Sequence, residues 1–370
     1  MSTNNEYEYE DIRPYADSEV SDILKRLLND VDLLNFLARW RYPRMSRVTP
    51  ALARLPIILY LRYKLGSVDS VRGFQDVVYH YVNRIIRETT DGFEYSGIES
   101  LVPDQSYLFV GNHRDIAGDS MLLDYALYVS GFDTVRIAVG DNLVQVASAT
   151  DLMKLNKSFF IKRSEEGPKK VYAALLQSSR YIHQSLKDGH SIWIAQSEGR
   201  AKDGMDITDP AIIKMFALAE RKTDFSELIQ RLNIVPTSIS YEYDPCDVQK
   251  AVELAEIARI GSYEKPKGED LANLVRGLGG YKGRVKLKVG TPLKGEFSSA
   301  DEVAQEVDRQ VRENLELFPI NQWAFSQLDS PTESDAGSEQ FKQRLLACPD
   351  AARPHFLQMY ANPVRNKAQI

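Results

Sequence analysis

The feature that most constrains this chain is an alternation between about residues 100 and 295. Short apolar runs at Ser106–Val110, Val135–Val139, Ser158–Lys162, Ser191–Ala195, Ile234–Tyr241 and Arg284–Val289 are separated by longer segments with helical spacing, notably Pro168–Lys187 and Pro210–Lys222. Strands that alternate with helices predict an α/β layer structure with a mainly parallel central sheet flanked by helices. The internal proline of Ile234–Tyr241, Pro236, predicts an edge strand or a strand end. In such folds, functional loops lie at the carboxyl ends of strands. The tail from about residue 298 reads as helical, and Ser330–Ser338 has the composition of an exposed linker. The expected organisation is a helical region over 1–95, an α/β domain over 96–297 and a helical extension over 298–370.

The region from about 17 to 90 has helical periodicity and an uneven charge distribution. No acidic residue occurs from Leu33 to Val68, whereas Arg39, Arg41, Arg44, Arg47, Arg54, Arg62 and Lys64 all fall there, interleaved with Trp40, Tyr42, Tyr60 and Tyr63. The apolar run Leu55–Leu61 lies within the same tract. Cations, interfacial aromatics and an apolar run too short to span predict a segment lying on an anionic membrane surface. The alternative is a basic helical hairpin packed on the core. The net charge of −6 gives no overall bias toward nucleic acid. Cys246 and Cys348 stand far apart in no metal-type spacing, which fits a reducing compartment without a disulfide framework. The acidic, polar start of the chain is not a signal peptide, and no window approaches the roughly 20 apolar residues of a spanning helix. The expected location is cytoplasmic, peripheral on the inner face of the cell membrane.

The chemistry concentrates in Gly111-Asn112-His113-Arg114-Asp115-Ile116-Ala117-Gly118-Asp119, between an apolar strand and an apolar helix expected over Ser120–Val129. A histidine held by a carboxylate is the minimal apparatus for taking a proton from a hydroxyl near neutral pH. Asp115 and Asp119 are both candidates for that carboxylate. Asp119 also reads as a helix N-cap and Asp115 as a solvated turn residue. His113-Arg114-Asp115 spells the catalytic triplet of protein kinases, but Ser120 stands where that loop needs Asn, and no Asp-Phe-Gly is present. Two further strands lead into cations: Phe160-Ile161-Lys162-Arg163, and Ile192–Ala195 followed by Glu198-Gly199-Arg200-Ala201-Lys202. Arginine suits bidentate contact with phosphate, and glycine lets backbone N–H groups approach an anion.

Taken in order, four stretches resemble the signature blocks of the glycerolipid acyltransferases, the family of glycerol-3-phosphate and 1-acylglycerol-3-phosphate acyltransferases. Asn112, His113 and Asp119 match the Asn-His…Asp block. Phe160, Ile161, Lys162 and Arg163 match the second block, Glu198, Gly199 and Arg200 the third, and Val235 with Pro236 the fourth. The resemblance covers roughly residues 105–240. Two departures accompany it. Five residues rather than four separate His113 from Asp119, and Arg200 follows Gly199 directly. Asp119 leads into an apolar helix as in the family, and Asp115 stays a competitor.

The resemblance implies transfer of an acyl group from a thioester, acyl-CoA or acyl-carrier protein, to a hydroxyl of glycerol-3-phosphate or its 1-acyl derivative. His113 would be the base, with Asp119 or Asp115 as its partner. Asn112, Arg114, Lys162, Arg163, Glu198, Gly199, Arg200 and Lys202 would form the acceptor pocket. No cofactor is called for beyond the acyl donor, and no metal-ligand spacing is visible. The expected partners are the donor, the lipid acceptor and an anionic membrane surface. The alternatives are an acyltransferase of the same fold with another lipid or amine acceptor, or a catalytically idle lipid-surface binding protein.

Overall fold

A computed structural model describes residues 9–141, 146–329 and 338–369, without the side chains of Trp40 and Asp329. The acidic start over 1–8 and most of the expected linker, residues 330–337, lie outside the described residues. Along the chain, helices α1 (Asp17–Asn29), α2 (Val31–Arg41), α3 (Pro43–Val48), α4 (Pro50–Leu65) and α5 (Val71–Thr89) precede β1 (Gly92–Ser96) and β2 (Leu108–Gly111). Then follow α6 (Gly118–Val129), β3 (Arg136–Gly140), α7 (Ala147–Leu155), β4 (Ser158–Ile161), α8 (Pro168–Lys187) and β5 (Ile192–Ala195). Next come α9 (Pro210–Phe216), α10 (Phe225–Arg231), β6 (Ile234–Tyr241), α11 (Asp247–Ile260), α12 (Glu269–Gly279) and β7 (Arg284–Val289). The helices α13 (Ala300–Asn314), α14 (Pro319–Asp329), α15 (Glu339–Ala347) and α16 (Arg353–Lys367) complete the chain. Two compact units result, one from residues 1–81 with 136–178, the other from 82–135 with 179–370.

In the first unit, α1 places Val20, Ile23, Leu24 and Leu27 on one face, which packs on Val71 and Phe74 of α5 and Leu155 of α7. Apolar residues three and four apart line one stripe of a helix, so the sequence spacing alone dictates this face. The buried Asp151 of α7 accepts from Arg26 at 2.6 Å and from the Tyr15 hydroxyl at 2.7 Å. β3 and β4 pair in parallel, with Ile137 opposite Ser158. The basic tract forms α2, α3 and α4. Asp30 caps α2 by accepting from the N–H groups of Asp32 and Leu33, and prolines begin α3 and α4, where the missing N–H has no intrahelical partner to lose.

In the second unit the strand order is β1-β7-β6-β2-β5. β1/β7, β6/β2 and β2/β5 are parallel, and β6/β7 is antiparallel. Every residue of β2 is buried, as is nearly every residue of β5 and β6. Their unbroken apolar runs match strands covered on both faces. The tail is helical as expected. Phe341 of α15 with Phe356 and Tyr360 of α16 centres an apolar cluster that also takes in Ala324 of α14 and Ala251 of α11.

Three details differ from the sequence reading. β1 lies ahead of the first expected strand; its mostly exposed residues pair with β7 alone, so no apolar run announces it. β6 is an interior strand despite Pro236, bonded to β2 on one side and β7 on the other. Pro236 lies one residue beyond the last β6/β7 pair, Thr237 with Val289, and its carbonyl accepts from the Gly290 N–H, so the missing donor falls at the end of a ladder. The helix expected over Pro210–Lys222 ends at Phe216 and continues as a 3-10 turn over Ala217–Glu220.

Among the described residues, no helix is long and apolar enough to cross a membrane.

Candidate active site

The site begins where β2 ends. Asn112, 1% exposed, does not face a cleft. Its side-chain oxygen accepts from the Ile239 N–H at 2.8 Å, and its amide donates to the Ile239 carbonyl at 3.0 Å and to Asp206 at 3.3 Å. Asn112 therefore fastens the end of β2 to β6.

His113 follows, mostly buried, with its ring edge-on to Trp193 of β5 at 5.8 Å between centroids. Its Nδ1 lies 2.9 Å from Oδ2 of Asp119. A carboxylate only accepts hydrogen bonds, so Nδ1 carries the proton and Nε2 is left as the basic nitrogen. Asp119 is 2% exposed. Its Oδ2 also accepts from the backbone N–H groups of Arg114 at 2.7 Å and Asp115 at 2.9 Å, and its Oδ1 accepts from the Tyr241 hydroxyl at 2.9 Å. The N-cap reading of Asp119 does not hold. Helix α6 starts at Gly118, with Ala117 as its N-cap residue and no side chain closing the cap.

Asp115 has a different task. Its Oδ1 accepts from Ala117 N–H at 3.1 Å and Gly118 N–H at 2.7 Å, the short local turn of an Asp that bonds the chain two and three residues on. It is buried rather than solvated, and burial, with the Asp119 charge nearby, pushes its carboxyl above the usual range. Of the two candidates, Asp119 is the one in contact with the histidine.

The cations fall into place by partner. Arg114 donates to the fully buried Asp206 at 2.5 Å and to the Gly204 carbonyl at 3.1 Å. It ties the His113 turn to the loop after β5. Lys202 is ion-paired with Glu253 of α11. Lys162 belongs to the first unit and is ion-paired with Asp11, while Arg163 beside it is exposed and donates its backbone N–H to Asp141 at 2.9 Å. Lys162 and Lys202 thus each have a carboxylate partner.

The turn after β5 is bonded to the histidine turn. The Gln196 N–H donates to the Gly111 carbonyl at 2.8 Å, and the Ala201 N–H donates to the His113 carbonyl at 2.7 Å. These bonds stitch Glu198-Gly199-Arg200 alongside the histidine turn. Gly199 has φ +76°, a left-handed conformation that glycine adopts at no steric cost, with open space where a side chain would begin. Arg200 is half-buried, and its Nη1 has no hydrogen-bond partner among the described residues. A buried guanidinium nitrogen without an acceptor leaves a donor that an anionic ligand can satisfy.

Sequence reasoning missed Tyr241, Asp206, Trp193 and Lys250. Lys250 of α11 is 1% exposed, donates to the Arg114 carbonyl at 2.6 Å and pairs with Asp244. Each lies far along the chain from the turn it serves, and no spacing rule connects them. The apolar runs of β5 and β6, whose carboxyl ends lie beside that of β2, were the one signal that pointed their way. Among the described residues, no group of His, Cys, Asp or Glu side chains could hold a metal ion.

Residues 92–241, from the start of β1 to the end of β6, match the family model described as Acyltransferase. The chain is also similar to the crystal structure of the 1-acyl-sn-glycerophosphate (LPA) acyltransferase PlsC from Thermotoga maritima. The two are 16% identical, the match covers 82% of this chain and 100% of that one, and the TM-score is 0.41. No curated protein matches this chain.

Proposed function

We propose that this chain, whose residues 92–241 match the Acyltransferase family model, is an O-acyltransferase that moves a fatty acyl group from acyl-CoA or acyl-carrier protein to a hydroxyl of 1-acyl-glycerol-3-phosphate or glycerol-3-phosphate. The observation that carries this reading is the His113–Asp119 pair, which leaves Nε2 as a base. Nε2 takes the acceptor's hydroxyl proton as that oxygen bonds to the thioester carbonyl carbon. The tetrahedral intermediate then collapses, the carbon–sulfur bond breaks, and the imidazolium returns the proton to the departing thiolate. Asp119 stabilises the imidazolium and holds the ring in the productive tautomer. Arg200, on a turn stitched to His113, is the residue best suited to bind the acceptor phosphate, with Gly199 keeping the approach open. Glu198, on the same turn, is a further candidate for lining the pocket.

The lyso-lipid acceptor suits the α2–α4 tract. Its basic residues Arg39, Arg41, Arg44, Arg47, Arg62 and Lys64 are exposed, as are Leu52, Leu55, Leu59, Tyr60 and Tyr63. Exposed cations beside exposed apolar side chains support peripheral binding to an anionic membrane, which we place at the inner face of the cell membrane.

The test is thiol release with purified protein, offering acyl-CoA and acyl-carrier protein as donors, and glycerol-3-phosphate, its 1-acyl derivative and a phosphate-free lyso-lipid as acceptors. Turnover that needs the acceptor phosphate is the expected result. Equal turnover without the phosphate would shift the reading to another acceptor class.

A further inference from the structure

Asp119 receives hydrogen bonds unequally on its two oxygens. Oδ2 takes His113 and two backbone N–H groups, whereas Oδ1, among the described residues, takes the Tyr241 hydroxyl alone. From this asymmetry we infer that Tyr241 is a positioning residue that acts on the transfer through Asp119, fixing the plane of the carboxylate and tempering its hold on His113. The inference rests on the proposed role of His113 as base.

The fold sets the tyrosine at this height. Asn112 clamps Ile239 through both its N–H and its carbonyl, so the strand position two residues before Tyr241 is locked to the residue that precedes His113. Helix α6 must also make room. A Cβ on Gly118 would lie 2.9 Å from the Tyr241 oxygen, closer than such contacts allow, so glycine at the helix start lets the hydroxyl reach the carboxylate. The hydroxyl is a constant donor. Burial and the charges of Asp119, Asp115 and Asp244 hold its ionisation well above the ordinary tyrosine value. Other charged groups lie around the pair. Arg114 and Asp115 of the turn act on Asp119, Asp244 from the loop after β6 acts on Arg114, Asp115 and Tyr241, and Lys282, ahead of β7, is coupled to Asp115.

Removing the hydroxyl has a direction. A buried carboxylate that loses a donor keeps more charge on its oxygens and holds a protonated imidazole more firmly. Tyr241→Phe should therefore move the acidic limb of kcat/KM to higher pH, by about 0.5 unit or more, and lower kcat several-fold while the acceptor KM changes little. A tyrosine that only packs predicts the opposite. Loosening the carboxylate would weaken its contact with His113 and move the limb to lower pH, or leave it in place.

The experiment is the pH profile of Tyr241→Phe beside wild type, with Tyr241→Gln as a second variant that restores a donor. A limb that rises in the Phe variant and falls back toward wild type in the Gln variant is the expected result. A profile superimposable on wild type, or one displaced to lower pH, overturns the inference. His113→Ala is assayed alongside. If it retains turnover, the reading of the base fails; if it is inactive while the Tyr241→Phe profile is unchanged, the inference about Tyr241 alone fails.

Discussion

The His113 turn and the α2–α4 tract are both rich in polar groups and treat them in opposite ways. In the turn, Asp119 is 2% exposed and receives four donors, while Arg114, Asp115 and Asn112 are each engaged with a partner inside the same unit. In the tract, seven cations occur without one intervening acid, and Leu59 and Tyr63 stand 68% and 81% exposed. A proton-transfer site needs groups held in one geometry before substrate arrives. A surface that meets a membrane needs charge and apolar area still uncommitted. Four changes would break or sharpen this contrast.

The largest effect is expected at His113. His113→Ala should lower kcat by about 10³–10⁴-fold, the upper part of what a positioned base contributes, with an unchanged melting temperature. Steady-state thiol release on the folded variant checks it, and near-wild-type turnover would remove the mechanism. Next comes the carboxylate pair. Asp119→Asn keeps an oxygen for the backbone donors and removes the charge, so it should lower kcat by about 10²-fold or more with little change in KM. Asp115→Asn, which bonds only backbone N–H groups of its own turn, should stay within about 3-fold of wild type. Comparable losses in the two variants would mean that the partner assignment is wrong.

On the tract, replacing Arg39, Arg41, Arg44 and Arg47 by alanine should weaken sedimentation with anionic vesicles by on the order of 10²-fold at low salt, at up to about 1 kcal/mol per cation. The gap should shrink as salt screens the surface. Unchanged binding would favour the basic-hairpin reading. The smallest effect concerns Lys282, 1% exposed and donating to the Gly280 carbonyl at 2.8 Å. Burial brings its ammonium down to about 8 from an ordinary 10.5. Between those values the unfolded chain binds more protons than the folded one, so this group's contribution to stability rises with pH over that window. Below about 8 the lysine is charged in both states and the cost of burying it is fully present. Chemical denaturation of wild type against Lys282→Met should show wild type gaining on the variant from pH 8 toward 10.5, and a difference that stays flat contradicts the assignment.

Legibility in the sequence followed locality. β6 and β7 occur at Ile234–Tyr241 and Arg284–Val289, and α8 at Pro168–Lys187, because apolar runs and helical stripes are properties of neighbouring residues. The same holds for the histidine turn, where strand, polar gap and helix are consecutive. β1 escaped because an exposed edge strand carries no apolar run, and Pro236 misled because its missing N–H falls where the β7 ladder has ended.

The sequence by itself determined that strands alternate with helices, that His113 sits at a strand's end with two carboxylates in reach, and that the acid-free tract is basic and carries interfacial aromatics around a short apolar run. Only the tertiary structure decided which carboxylate meets the histidine and which cations stay uncommitted. Asp115 turns back on its own backbone, and Asp119 gains Tyr241 from 122 residues away. Arg114 and Lys202 are taken up by Asp206 and Glu253, 92 and 51 residues on. Residue type and spacing specify what a side chain can do. Partners this distant meet only when the strands are registered side by side and the helices packed, and those partners settle which of its options each side chain adopts.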